Sequence, residues 1–597
     1  KDNFWWGALT GANTSNAALV AAVQGILLGT DTATVKRFWH DTTGHPVNPQ
    51  PDYVVSGSLL LDEAQGNLSG NNPLDRDGDS VFTPVTSGDG WYADNSFIFH
   101  YNIPYTGSYG QELLENIAIL DKLLDGSTWE ITDPDLANIY GWITNGTMPL
   151  MYRGAMMDMV RGRAIASSSS DQYKVGAAAL KNMRSVATFA PTDIAAGLLA
   201  FADSPQVAPG QYHFASMDRV AMHRAAFSFG LSMSSTRVGG YEINTTSPTN
   251  LKGWYTGAGV TYLYLDNPDT QYMDTYWATV DWYHLPGTTA DLSATPDDAV
   301  TDQNWAGGAQ VNGTFGVAGM SAHPAGTQLY AKKSWFMLDD KIVCLGAGIT
   351  CTSGGQVDTT IENRKLKATG ATTFNIADTA YSLAAPTTWA NPVTVSTSTS
   401  PTWCALDGVA GYYFPEGASN LQAQFVSGSG AWTTINPTDS DSAIYTDYYL
   451  QIVSKHGVNP TNAKYAYVIL PNRKASSVKA YAANPDVSIL SNTEPTGATT
   501  GIQAVKSKVL GVVAANFWAK TSGPDTGGTA DFITVNKQCS VIVKETYNSI
   551  SVGVSDPTQS NNGTITVTLN GRTALGTLST DPGVTVTGTS PITLSVN

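Results

Sequence analysis

Along the first third of the chain, apolar residues recur three and four positions apart. Asn16 to Gly29, Tyr109 to Leu124, Asp135 to Thr144, Gln172 to Val186 and Ile194 to Ala202 keep that spacing over helix length, which predicts helices with one face turned to a core. Two starts carry their own signals. Asp133 before Pro134 reads as an N-cap with proline at the first helical position, and Ser108 with Gln111 reads as a capping-box pair. From about Phe214 the pattern changes to short alternating or β-branched runs, such as Thr261 to Leu265, Ser334 to Leu338, Ile342 to Leu345 and Ala466 to Leu470, separated by Gly, Pro, Asn and Asp turns. Helices first and strands later predict an α+β multidomain chain with separate helical and β-sandwich domains, not an alternating α/β fold. The polar Thr/Gly-rich stretch Ser491 to Thr500 marks a further boundary, so the chain divides as 1–213, 214–490 and 491–597. The segment His40 to Thr86 has little periodicity and reads as a long inserted loop.

Composition narrows what such a chain can do. Its 597 residues are enough for several cores. Only 14% of residues are charged, and 32 Lys+Arg against 49 Asp+Glu leave a formal net charge of -17. A polyanion held by its phosphates needs a basic field, so nucleic acid is excluded as a partner, and any positive potential must be local to a few arginines. The longest apolar stretch, Ala17 to Gly29, is interrupted by Gln24 and is too short for a transmembrane helix, so no membrane partner is expected. The first residues lack a basic segment followed by an apolar run, which fits a mature numbering. Sequons at Asn67, Asn145, Asn312 and Asn562, scarce lysine and abundant Ser/Thr point to a secreted, extracellular protein. Cys344, Cys351, Cys404 and Cys539 form no CxxC metal site, and Cys344 and Cys351, on one extended strand, would stand about 24 Å apart. Asp75, Asp77 and Asp79 around Gly78 fit either a structural Ca²⁺ site or a solvated acidic turn.

Candidate chemistry concentrates in Gly90 to Gly110. His100 and Tyr109 lie nine residues apart across a Pro/Gly turn, and Tyr109 falls on the first turn of the following helix. There the macrodipole favours negative charge, so the phenol can serve as a base. The same pair also reads as a packed tyrosine and a hydrogen-bonded histidine.

This stretch, with Met157 to Arg163, Ser216 to Arg219, Tyr241-Glu242 ahead of Lys252 to Gly257, Leu285 to Thr289, Lys333 to Phe336 and Lys464 to Pro471, resembles polysaccharide lyase family 8, the hyaluronate, chondroitin AC and xanthan lyases. The resemblance implies an α/α toroid followed by antiparallel β-sandwich domains, with an anionic polysaccharide in the cleft between them. It implies cleavage beside a uronic acid by β-elimination with no catalytic cofactor. In that scheme Asn13 and His100 neutralise the carboxylate, and Tyr109 takes the C5 proton and returns one to the leaving oxygen. An amide donor stabilises the developing charge without titrating, and a phenol within hydrogen-bond reach moves the proton without a metal. Arg163 matches the family's support for the tyrosine and the leaving oxygen. Glu242 and Asn250 match a supporting pair from the β domain, and Arg161 is a further substrate-binding candidate. Each arginine or glutamate also reads as half of a structural ion pair.

Three departures accompany the match. Ser167 stands where the family usually has an arginine that contacts acidic substituents in xanthan lyase, which ranks hyaluronan- or chondroitin-type chains above xanthan. Asn95 replaces a glycine. The chain begins about ten residues before Asn13, so the toroid is expected to be incomplete, with Trp5 and Trp6 as the remnant of an aromatic substrate patch or as core packing. A cleaved N-terminal fragment would then cover the helix Asn16 to Gly29, unless His40 to Thr86 folds back over it. A glycan-binding protein without activity, or a glycoside hydrolase using two carboxylates, are the alternatives.

Overall fold

The computed structural model describes residues 82–124, 134–243, 248–265, 271–366, 372–383, 393–396, 400–523, 525–576 and 578–597. Asn13, Trp5, Trp6, the triad Asp75, Asp77 and Asp79, and the expected helix Asn16 to Gly29 lie outside them. The chain forms two compact units, one of residues 1–162 and 172–207, the other of 163–171 and 208–597.

In the first unit three of the periodic segments fold as their spacing predicts. The helices Tyr109–Leu124, Gln172–Val186 and Thr192–Asp203 pack in sequence, each laying an apolar stripe on the next. The amide of Asn182 donates to the Gln111 carbonyl (2.8 Å) and fixes the first pair. The expected helix Asp135 to Thr144 is replaced by a composite: 3₁₀ turns at Pro134–Ala137 and Met148–Leu150 flank a short α-turn, Asn138–Gly141, and a π-turn, Trp142–Thr147. Gly146 explains part of this. A Cβ there would lie 2.6 Å from the Asn95 carbonyl oxygen and 2.8 Å from the Trp91 ring, so the helix widens where it must touch that loop. Trp91 stacks flat on Trp142, centroids 5.3 Å apart. The capping box is also replaced: the Gln111 side chain donates to the Thr106 carbonyl (2.9 Å), and the Ser108 amide donates to the Tyr105 carbonyl (3.1 Å).

The second unit is built of antiparallel sheets. Four strands from Gly210–Phe214 to Val260–Leu265 form one sheet, and a nine-stranded sheet runs through Phe315–Ala322, Tyr330–Leu338, Lys341–Thr350 and Ala463–Pro471. A five-stranded sheet contains Gln356–Leu366, Tyr445–Val458 and Leu421–Gly430, and two further five-stranded sheets end the chain. The nine-stranded sheet is buried on both faces. Trp335, Met337, Ile342, Cys344, Tyr467 and Ile469 enter one core, while their neighbours Phe336, Leu338, Val343, Leu345, Val468 and Leu470 enter another, as period-two alternation requires. The second core continues into Val505, Val512, Ala514 and Ile542 of the first C-terminal sheet. Between those sheets lies a buried polar net: Asn516 donates to the Ser334 hydroxyl (2.8 Å) and the Ala318 carbonyl (3.0 Å), and Ser334 donates to Gln503 (2.6 Å).

All four cysteines are buried and unbridged. His284 sits between the carboxylates of Asp281 (2.7 Å) and Asp358 (3.4 Å). Burial alone would pull its pKa down, but the two carboxylates outweigh burial and push it up to about 9. Lys333 is fully buried. Its ammonium donates to the carbonyls of Gly287 (2.6 Å) and Ala258 (3.0 Å), and burial lowers its pKa to about 7.

Candidate active site

His100 and Tyr109 are brought together by a hairpin and a helix start. The strands Phe97–Phe99 and Ile103–Pro104 pair with Phe99 opposite Ile103, which leaves His100, Tyr101 and Asn102 to make the turn. So tight a turn needs left-handed backbone: His100 has φ 53° and Tyr101 φ 73°, conformations that L-residues adopt at a cost. The Asp89 carboxylate accepts the Tyr101 amide at 2.6 Å and holds the turn. Strained residues of this kind collect where a side chain must be aimed. The chain then enters the helix with Tyr109 as its first residue.

The four rings Phe99, His100, Tyr105 and Tyr109 form one cluster. Tyr109 lies 4.3 Å from Phe99, 5.0 Å from His100 and 5.0 Å from Tyr105 between centroids, edge-on to the last two. Phe99 and Tyr105 are buried, while His100 and Tyr109 are half-buried, so the inner pair supports the outer pair. Tyr105 is fixed from behind by Gly162. That glycine has φ +50°, and a Cβ on it would lie 2.1 Å from the Tyr105 ring, so only glycine fits. Nothing in the spacing singles out Tyr105 as a support; its signal is the Pro-Tyr-Thr-Gly turn it sits in. Asn95 has φ 62°, which explains how asparagine can stand at a position the family fills with glycine.

Arg161 is in this unit too, but it is 1% exposed. Its guanidinium pairs with Asp158 at 2.5 Å, and Asp158 also accepts from Gln172 at 2.7 Å. It is a buried structural ion pair. This pairing matches the structural ion-pair reading that the sequence also offered for Arg161.

In the other unit the structure joins Arg163, Glu242 and Asn250. The Arg163 guanidinium pairs with the Glu242 carboxylate, and the Asn250 amide donates to the Glu242 backbone carbonyl at 2.8 Å. Asn250 is buried and takes a left-handed φ of 59°. The segment that carries Arg163 is bonded to a distant loop. The Asn436 amide donates to the Ala166 carbonyl at 2.9 Å, and Asp439 accepts both the amide (2.8 Å) and the hydroxyl (2.6 Å) of Ser168. Burial would raise the Asp439 pKa, but these donors lower it below the usual carboxylate range. Ser167 shares a hydrogen bond with Ser169 at 3.0 Å. Neither Asn436 nor Asp439 is recognisable from sequence, since each acts on a partner about 270 residues away. Among the described residues no group of three or more His, Cys, Asp or Glu is placed to hold a metal ion.

Residues 58–201 match the N-terminal α-helical domain of polysaccharide lyase family 8, 209–482 its super-sandwich domain and 488–565 its C-terminal β-sandwich domain. A xanthan lyase of Bacillus sp. (strain GL1) is 40% identical over 590 residues, covering 91% of this chain and 60% of that protein. A hyaluronate lyase of Thermasporomyces composti is 35% identical over 556 residues, covering 86% of this chain and 68% of that protein. The solved Paenibacillus xanthan lyase superposes with a TM-score of 0.83 at 34% identity, over 99% of this chain and 59% of that one. The chain thus spans about three fifths of the length of the two xanthan lyases.

Proposed function

The chain belongs to polysaccharide lyase family 8, and from that premise we propose that it cleaves a uronate-containing anionic polysaccharide by β-elimination. The observation that carries this reading is the ring pair His100 and Tyr109, held at 5.0 Å by a left-handed turn and a helix start. A phenol at the first turn of a helix is easier to ionise, and an imidazole beside it can donate to the substrate's carboxylate. Tyr109 as phenolate takes the C5 proton. The electron pair of that C–H bond forms the C4–C5 double bond, the C4–O bond breaks, and the tyrosine returns the proton to the departing oxygen. Asn13 is assigned the second carboxylate donor. Arg163, oriented by Glu242, is assigned stabilisation of the tyrosine and the leaving oxygen. No metal or cofactor takes part in these steps.

Ser167, its neighbouring serines and the Asp439 carboxylate supply no cation to an acidic substituent, and this supports ranking hyaluronan- or chondroitin-type chains ahead of xanthan. The sequons and low lysine content support secretion. The test is digestion of hyaluronan, chondroitin and xanthan with near-UV absorbance and reducing ends followed together. A lyase makes both signals rise. Reducing ends without absorbance would assign a hydrolase, binding without either would assign a glycan-binding protein, and a much larger kcat/KM on xanthan would overturn the ranking.

A further inference from the structure

The loop from Ala431 to Asp441 makes long-range bonds to the segments on either side of the Arg163–Glu242 pair, at Ala166 and Ser168 and at Leu251. On one side it holds the arginine's segment, through Asn436 to the Ala166 carbonyl and through Asp439 to the amide and hydroxyl of Ser168. On the other it holds the glutamate's segment: the Ile435 carbonyl accepts the Leu251 amide at 2.9 Å, next to Asn250, whose side chain binds the Glu242 carbonyl. The loop is itself stiffened. The Asn436 side-chain oxygen accepts the amide (3.2 Å) and hydroxyl (2.7 Å) of Thr438, and Asp439 accepts the Asp441 amide at 2.9 Å. Asn436 and Ile435 are buried, and Ile435 is fully so.

We propose that Asn436 and Asp439 are positioning residues for the reaction, which set the guanidinium of Arg163 by clamping residues 166–168 onto the same loop that also binds Leu251, next to the asparagine that holds Glu242. The proposal rests on the lyase reading above. Its physical basis is geometric: the segment 163–171 lacks regular structure beyond one 3₁₀ turn, Gly162–Ala166, so its own backbone bonds cannot fix a side chain to the tolerance that transition-state stabilisation needs. Charged acceptors such as Asp439 make the stronger hydrogen bonds, and here a single carboxylate takes two donors from one residue.

The experiment is a double-mutant cycle on the full chain. Asp439→Ala should lower kcat about ten- to a hundredfold with KM little changed, as expected when an interaction made only in the transition state is lost. In an Arg163→Ala background the same substitution should cost nothing further, because its effect passes through the arginine. Asp439→Asn, which keeps one acceptor oxygen and loses the other and the charge, should give a rate between those of the wild type and Asp439→Ala. Hydrogen exchange gives a readout independent of turnover: the Ser168 amide, protected by Asp439 in the wild type, should exchange faster in Asp439→Ala. Ser168→Ala removes one donor without touching the loop and serves if Asp439→Ala does not fold; a smaller loss in the same direction is expected. Additive losses in the cycle, or unchanged exchange at Ser168, overturn the proposal while leaving the lyase reading intact. A wild-type chain that forms no unsaturated product from any polymer overturns both.

Discussion

The imidazole of His100 stands edge-on to the phenol ring of Tyr109, with 5.0 Å between centroids and 62° between planes. The contact joins the tip of a hairpin to the first residue of a helix, so two unrelated backbone constraints meet in one pair of rings. A packing pair would be served as well by phenylalanine, and that difference can be measured.

Tyr109→Phe keeps the ring against Phe99 and removes only the hydroxyl. Elimination should fall by at least about a hundredfold while the thermal midpoint stays within a few degrees. Product absorbance and a thermal melt on the same preparation check both halves. Normal turnover by this variant would move the base role to Tyr105 or His100.

Gly162→Ala should destabilise the protein by about 1–3 kcal/mol, since alanine is strained at positive φ and its Cβ would collide with the Tyr105 ring. The denaturation midpoint reads the loss, and turnover should drop with it as Tyr105 shifts behind Tyr109. An unchanged midpoint would mean the turn has more room than its geometry indicates.

His284 predicts a sign for alkaline stability. Its folded pKa, about 9, lies above the ordinary value of 6.5. Its contribution is therefore complete below about pH 6.5 and is lost as pH rises through about 9, with a total on the order of 3 kcal/mol. Denaturant melts from pH 6 to 10 should fall along that window, and His284→Gln should start lower and slope less. Parallel curves for the two proteins would remove the histidine as the cause.

A chelator should leave turnover unchanged, because amide, imidazole and phenol supply charge stabilisation and proton transfer between them. Assay after exhaustive chelation checks it. Loss restored by Ca²⁺ alone would assign a structural ion to Asp75, Asp77 and Asp79; loss restored only by a transition metal would sink the mechanism.

How far the sequence could be read depended on the range of the interaction. The helices Tyr109–Leu124 and Gln172–Val186 were legible to the residue, because a 3.6-residue period is written locally. The strand runs were legible in kind but short in length: Ile342 to Leu345 proved to be part of the first half of Lys341–Thr350, whose later glycines and polar end hide the alternation. The composite turn at 134–150 was not legible, since it is shaped by contact with Trp91 and Asn95 about fifty residues earlier. At the candidate site the same division holds. His100 and Tyr109 stood out through their motif, but the left-handed turn that aims one of them and the Ser168–Asp439 bond depend on neighbours that no local pattern encodes.

The nine-stranded sheet that feeds two cores has a consequence for evolution and engineering. A β-sandwich appended to a catalytic scaffold is commonly treated as a cassette, to be trimmed or exchanged at its linker. Here a cut near residue 490 would strip Val505, Val512, Ala514 and Ile542 from Val317, Phe336, Leu338 and Leu345, and would orphan the buried amide and hydroxyl groups that meet at Ser334. The seam runs through the hydrophobic interior, not through the linker. Chimeras in this lineage should therefore inherit the last two sheets together with Phe315–Ala322 and Tyr330–Leu338, as a single transplantable block whose true border lies well upstream of its sequence boundary.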